Sequence, residues 1–118
     1  MTHSLHKVLI IGVGSIVVRH LRCFLATERA EASIVEINAE RRQSIAEQYN
    51  VRAFATLDEA LVEPLQIALV AVPAHRHVEL AIPLAERGIH LLIEKPLSTT
   101  LDGIYRLKQT VQQRGLVA

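Results

Sequence analysis

Short runs of β-branched and aliphatic residues alternate along this chain with longer stretches of helical periodicity. The first apolar run, Lys7 to Ile11, predicts a strand; Gly12-Val13-Gly14 follows, and a helix is expected from Ser15 to Thr27. Ala32 to Ile37 predicts the second strand and Ala39 to Tyr49 the second helix. A short strand over Val51 to Phe54 leads to Thr56-x-x-Glu59, the spacing of a capping box, which should open a small helix ending before Pro64. Ile67 to Val72 is the next buried strand, broken by Pro73; a helix runs from His77 to Arg87, and Gly88 is placed to end it as a C-terminal cap residue. Ile89 to Ile93 predicts the fifth strand, Thr100 or Asp102 starts a last helix ending near Arg114, and Gly115 to Ala118 reads as the beginning of a sixth strand. Strands so uniformly apolar belong in the centre of a parallel sheet, with right-handed helical crossovers covering both faces. The expected fold class is α/β: a doubly wound parallel sheet in three αβα layers, with residues 1–118 forming one domain.

The glycine turn sits where such a sheet binds ligands, after the first strand and at the start of a helix. Gly12 is read as permitting the tight bend and Gly14 as letting the backbone approach a pyrophosphate, which the N-terminus of the following helix then stabilises. Ser15 and Ile16 complete that first helical turn. A dinucleotide fingerprint also needs an acid at the end of the second strand to accept from ribose hydroxyls, and Glu36 stands there. Glu36 would repel a 2′-phosphate, so NAD is expected over NADP, with Arg41 and Arg42 as a cationic counterweight from the next helix. The fingerprint's third glycine is replaced by Val17. A branched side chain there either pushes the helix outward, crowding the pyrophosphate and weakening cofactor binding, or joins Ile16 and Val18 on a buried surface after a slight shift of the helix.

Composition narrows the possibilities. Lys plus Arg (13) nearly balance Asp plus Glu (12), and no cationic cluster stands out, so nucleic acid is not an expected partner. Aromatic residues are only 3% of the chain, too few for a base-stacking platform. A chain of this length buries roughly 65% of its unfolded surface, enough for a core. Met1 to Lys7 is polar and unlike a signal peptide, and no apolar stretch approaches a bilayer span, so neither secretion nor membrane insertion is expected. Cys23 is the single cysteine. It excludes a disulfide framework within these residues, fits a reducing cytoplasmic setting, and among apolar helix residues is expected to be buried. His75 and His77 make a His-x-His pair, but two ligands without a nearby carboxylate or thiolate do not make a metal site, and none is expected.

In the second half, the run Ile67 to Val72, Pro73, His77, and then Gly88-Ile-His-Leu-Leu-Ile-Glu94-Lys95-Pro96-Leu97 follow one another at intervals that resemble the glucose-fructose oxidoreductase, inositol dehydrogenase and rhizopine-catabolism (Gfo/Idh/MocA) family. The glycine turn, a histidine at the position of His20 and the acid at Glu36 extend the resemblance over nearly the whole chain. It implies a Rossmann domain binding NAD(P), and hydride transfer between nicotinamide and a hydroxyl carbon of a sugar, cyclitol or related small molecule. Lys95 is then the residue beside the nicotinamide and the reacting oxygen, able to orient the substrate and take part in a proton relay. Glu94 would help to hold it and Pro96 to fix the turn. Val72, Pro73 and His77 would line the cofactor cleft; alternatively His77 is a helix-start residue with its ring in solvent. His20 is expected to pack at the end of the first helix.

The same resemblance implies a second domain supplying most of the substrate pocket with a catalytic histidine and aspartate. Residues 1–118 are expected to hold none of it, so the chain alone should be inactive or nearly so, since a nicotinamide open to water lacks a closed, dry site. An uncovered edge strand would expose apolar surface and unpaired backbone groups, and self-association into a homo-oligomer is expected. The other reading is a stand-alone Rossmann module acting as a nucleotide sensor or scaffold, with Val17 marking a relaxed cofactor site. A regulatory nucleotide-binding domain of a channel or transporter shares the glycine turn and strand-end acid, but Glu94-Lys95-Pro96 argues against it.

Overall fold

A computed structural model describes residues 5–12, 15–94, 101 and 103–118. Five strands, β1 (His6–Gly12), β2 (Ala30–Val35), β3 (Arg52–Phe54), β4 (Ile67–Ala71) and β5 (His90–Ile93), form one sheet in the order β3-β2-β1-β4-β5. Every pairing is parallel. The helices α1 (Ser15–Ala26), α2 (Ala39–Tyr49), α3 (Leu57–Ala60), α4 (His77–Glu86) and α5 (Ile104–Gln113) provide the crossovers. The chain steps outward from β1 through β2 to β3, then returns to the other side of β1 for β4 and β5, which makes the doubly wound Rossmann arrangement and puts its switch point between β1 and β4.

Because side chains alternate across a strand, the apolar runs supply both faces at once. Val8 and Ile10 of β1, Ala32 and Ile34 of β2, and Leu69 and Ala71 of β4 pack under Val17 and Leu21 of α1 and Ile45 of α2. Leu9 and Ile11, Ala68 and Val70, and Leu91 face the other way, against Ala81, Leu84 and Ala85 of α4 and Leu107 of α5. Register lines Ile34, Ile10, Leu69 and Leu92 into one row across the first face. The first three are buried, whereas Leu92 on the edge strand is 53% exposed.

The elements form where their patterns place them, with shifts of a residue or two at the ends. β2 stops at Val35, leaving Ile37 in solvent rather than in the strand. Thr56 caps α3 by accepting from the Glu59 amide at 3.3 Å, and Glu59 Oε2 accepts from the Ala55 amide at 3.1 Å. Gly88, at φ 78°, closes α4: its amide donates to Ala85 and that of Ile89 to Leu84, satisfying the last carbonyls. α5 begins at Ile104 after Gly103; Thr100 and Asp102, the two expected starts, lie outside the described residues. The sixth strand is no more than a first contact, in which Val117 accepts from the Leu91 amide at 2.9 Å and donates to His90 Nδ1 at 3.0 Å.

One expectation about α1 is corrected. Cys23 is exposed. The inward stripe of α1 is Val17 and Leu21 at helical spacing, and Cys23, two positions beyond Leu21, falls on the outer side. Gly12 has no positive φ, but it serves close approach: an added Cβ would meet Val17 Cγ2 at 2.9 Å and the Ala71 Cβ and carbonyl at 3.3 Å. Val17 is fully buried, so the helix accommodates the missing third glycine by seating valine in the space that Gly12 leaves. Gly12→Ala should therefore destabilise the fold by about 1–3 kcal/mol as an overpacking change. In the Gly12→Ala/Val17→Ala double variant part of that loss should be recovered, which a urea-denaturation double-mutant cycle would measure as non-additivity.

Candidate functional site

A cleft of about 240 Å³ opens at the carboxyl ends of the strands, lined among others by Gly12, Val35, Ile37, Thr56, Val72 and Arg76. Gly12 ends β1 beside Ala71 of β4, so the cleft straddles the switch point. Val13 and Gly14 lie outside the described residues. Ser15 opens α1 in solvent, and Ile16 packs partly against the core on the α1 face, so neither side chain lines this cleft.

Glu36 follows β2 directly. Its amide donates to the Phe54 carbonyl at 2.9 Å, holding the strand end against β3, and the residue is 1% exposed. A buried carboxylate has to be compensated. Oε2 accepts from the Asn38 amide at 3.3 Å and Oε1 from Arg41 Nη1 at 3.2 Å. Asn38 is in turn the N-cap of α2, its Oδ1 accepting from the Arg41 amide at 2.9 Å. Arg42 Nη1 binds the backbone carbonyl of Glu36 at 3.0 Å and reaches that of Ile37 at 3.5 Å. The strand-end acid and the start of α2 are thus one hydrogen-bonded unit.

On the far side of the switch point, Pro73 breaks β4 as expected, and a 3₁₀ turn over Ala74–Arg76 leads into α4. His77 is buried, which overturns the solvent-facing alternative. Its Nε2 lies 2.6 Å from the Val72 carbonyl, so Nε2 carries the hydrogen and the ring pins the loop to its own helix start. Its Nδ1 is buried with no partner. His75, two residues away, is exposed, and among the described residues no three His, Cys, Asp or Glu side chains gather as a metal-holding group. Arg76, at the cleft wall, pairs with Glu79 at 3.1 Å.

Glu94 continues β5, its amide donating to the Val70 carbonyl at 3.0 Å. Its carboxylate lies against His20 Nε2. His20 therefore sits mid-helix and reaches across to the end of β5, instead of packing at the end of α1 as expected. No local pattern in the sequence signals this contact, which joins residues far apart in the chain. Lys95 and Pro96 lie outside the described residues. Thr56, Ile37 and Arg76, which line the cleft, were not legible as site residues, since each comes from a different loop with no shared motif.

This arrangement passes two tests for a dinucleotide. At the switch point the backbone of Gly12 carries no side chain, and the acid that could read ribose hydroxyls stands at the next strand end. The model of the Gfo/Idh/MocA oxidoreductase family, NAD-binding Rossmann fold, matches residues 6–118. This chain belongs to that family. A UDP-N-acetylglucosamine 3-dehydrogenase from Acidithiobacillus ferrooxidans is 32% identical over 108 residues, covering 92% of this chain and 34% of the relative. An inositol 2-dehydrogenase from Corynebacterium glutamicum is 30% identical over 117 residues, covering 96% of this chain and 34% of the relative. The crystal structure of GenD2 from gentamicin A biosynthesis, in complex with NAD, superposes with a TM-score of 0.88 at 26% identity, covering 98% of this chain and 34% of GenD2. The chain thus spans about a third of the length of the relatives it matches. Its matched region corresponds to the NAD-binding Rossmann fold of that family, and no helix among its described residues is long and apolar enough to cross a membrane.

The His20–Glu94 contact joins the helix after the glycine turn to the residue preceding Lys95, and both partners are partly exposed. His20→Ala and Glu94→Ala should therefore show a coupling of only about 0.5–1 kcal/mol in a double-mutant cycle of unfolding. Removing the His77 ring should cost more, about 1–3 kcal/mol, because His77→Ala leaves the buried Val72 carbonyl without its donor. Thermal unfolding of the three variants would rank them.

Proposed function

We infer that the chain binds NAD across the switch-point cleft and forms the cofactor half of an enzyme oxidising or reducing a hydroxyl carbon of a sugar, cyclitol or related small molecule. The observation that carries this is a cleft-lining Gly12 whose Cβ has no room, next to a buried Glu36 fixed at the end of the neighbouring strand between the cleft-lining Val35 and Ile37. Gly12, Gly14, Ser15 and Ile16 would hold the pyrophosphate through backbone and helix terminus. Glu36 would accept from the adenosine ribose, and Ile37, Leu57 and Leu80 offer apolar wall to a heteroaromatic ring. Val72, Pro73 and His77 would border the nicotinamide side, with His77 acting by fixing the Val72 carbonyl. When bound, the nicotinamide supplies the hydride acceptor or donor.

Lys95 is the proposed catalytic residue, its ammonium orienting the reacting oxygen and holding or releasing a proton there. Glu94, held against His20, directly precedes it in the chain and would help to position it. The remaining substrate contacts would belong to a further domain, a reading supported by relatives about three times as long, so residues 1–118 alone would bind cofactor without efficient turnover. The buried Val17 supports intact cofactor binding over the scaffold reading, since the helix has not been displaced into solvent by it. A free, exposed Cys23 suits a reducing cytoplasm, and exposed Leu92 on the edge strand suits association with further protein, including another copy in a homo-oligomer.

Calorimetric titration tests the reading. NADH should bind the chain more tightly than NADPH, and Glu36→Ala should weaken NADH by about tenfold or more through loss of charged hydrogen bonds. Absence of NADH binding, or an unchanged affinity in Glu36→Ala, would refute it. In a protein that also carries the substrate domain, Lys95→Met should lower kcat and leave the NADH dissociation constant nearly unchanged.

A further inference from the structure

We propose that the outer faces of α1 and α2 together form a self-complementary docking surface whose partner is a second copy of this chain. The two helices pack on the same side of the sheet, through Val17 and Leu21 and through Ile45, so their outer sides look into the same solvent. Along α1 that side is Ser15, Val18, Arg19, Arg22, Cys23 and Ala26, which line an open groove of about 700 Å³. Along α2 it is Glu40, Gln43, Ser44, Glu47 and Gln48, around a groove of about 560 Å³. The charges divide between the two faces. α1 contains no acidic residue, and among the described residues neither Arg19 nor Arg22 has an ion-pair partner. Glu40 has none either, and Glu47 accepts from Gln43 of its own helix at 3.1 Å. The other charged groups of these helices with partners are turned elsewhere: His20 to Glu94, and Arg41 and Arg42 to the end of β2.

Sheet register sets the two faces level. Ile11 pairs with Val35, and α1 and α2 each begin four residues beyond those positions. Both helices return against parallel strands and so run in the same direction. A two-fold axis parallel to the helices and between them therefore lays α1 of each copy along α2 of the other, in an isologous contact. Arg22, seven residues into α1, then stands beside Glu47 of the other copy, eight residues into α2, an offset of about 1.5 Å. Arg19 comes within a turn of Glu40 of the other copy, and symmetry makes each contact twice. Val18, Cys23 and Ala26 supply apolar surface between them. None of these residues lines the carboxyl-edge cleft, which stays open in the dimer. Because exposed ion pairs are individually weak and screened by salt, the dimer is a weak one that dissociates as ionic strength rises.

Sedimentation equilibrium of the 118-residue chain, run at low and at high salt, tests this with Arg22→Glu, Glu47→Arg and the double variant that exchanges the two charges. The parent should dimerise at low salt and dissociate at high salt. Each single reversal places like charges opposite one another at two symmetric contacts and should raise the dissociation constant by about tenfold or more. The double variant, with its charges exchanged, should return it to within about threefold of the parent. A chain that stays monomeric at millimolar concentration in low salt would overturn the proposal, as would a dimer that survives both single reversals or one that the double variant fails to restore. A dimer lost in Leu92→Asp but indifferent to the reversals would belong to the exposed edge strand β5 and would refute it equally.

Discussion

The distance at which α1 lies on β1 governs the carboxyl edge of this sheet, and Val17 against Gly12 sets that distance. A Cβ at Gly12 would come within 2.9 Å of the valine methyl and 3.3 Å of Ala71 on the neighbouring strand. Three elements converge there, and there is no slack for a second side chain. A fully buried valine contributes roughly 1.5–3 kcal/mol of apolar burial, so the exchange of the fingerprint's third glycine for valine adds to the core while making the glycine at position 12 indispensable. Close packing of helix on sheet is kept, and with it the direction in which the start of α1 points.

Around that contact the strand ends are tied by polar groups rather than by further apolar packing. Glu36 is joined to the cap of α2, the Val72 carbonyl to the ring of His77, and the carboxylate of Glu94 to His20. Each tie links the end of a strand to a helix N-terminus or helix face. A sheet edge that must present backbone to a ligand cannot be covered by hydrocarbon, so its order has to come from hydrogen bonds that leave the edge open. The buried Nδ1 of His77, which has no partner, is where this network is incomplete. Incomplete satisfaction of buried polar groups is characteristic of sites that meet something else.

The fold was legible because apolar strands and amphipathic helices differ in period. Ile67 to Val72 admits no exposed face, and the spacing of Val17 and Leu21 admits only one. Glu36 and Gly12 are legible as candidate site residues because their places relative to strand ends follow from chain order alone. What sequence could not supply was direction across the helix and contact between loops. Cys23 is exposed although it stands among apolar residues in sequence, because the buried ones lie on a different face of α1. The burial of His77 depends on the Val72 carbonyl, just before Pro73, turning toward its ring, and the contact of His20 with Glu94 joins residues far apart in the chain. Neither is encoded in a local pattern. Leu92 reads as an ordinary core strand residue and is exposed only because β5 is an edge strand on the face that α1 and α2 leave uncovered.

The central claim is spatial: a dinucleotide lies across the switch point between β1 and β4, on the carboxyl edge held by these ties. Amide chemical-shift mapping of the isotopically labelled chain during titration with NADH addresses it directly. The account predicts that the perturbed amides gather at Gly12, Ile37, Thr56, Val72 and the first turn of α1, while Gln43, Glu47 and the outer face of α2 stay unmoved. Perturbations centred on the outer faces of the helices, or a titration that moves no amide at the carboxyl edge, would contradict it.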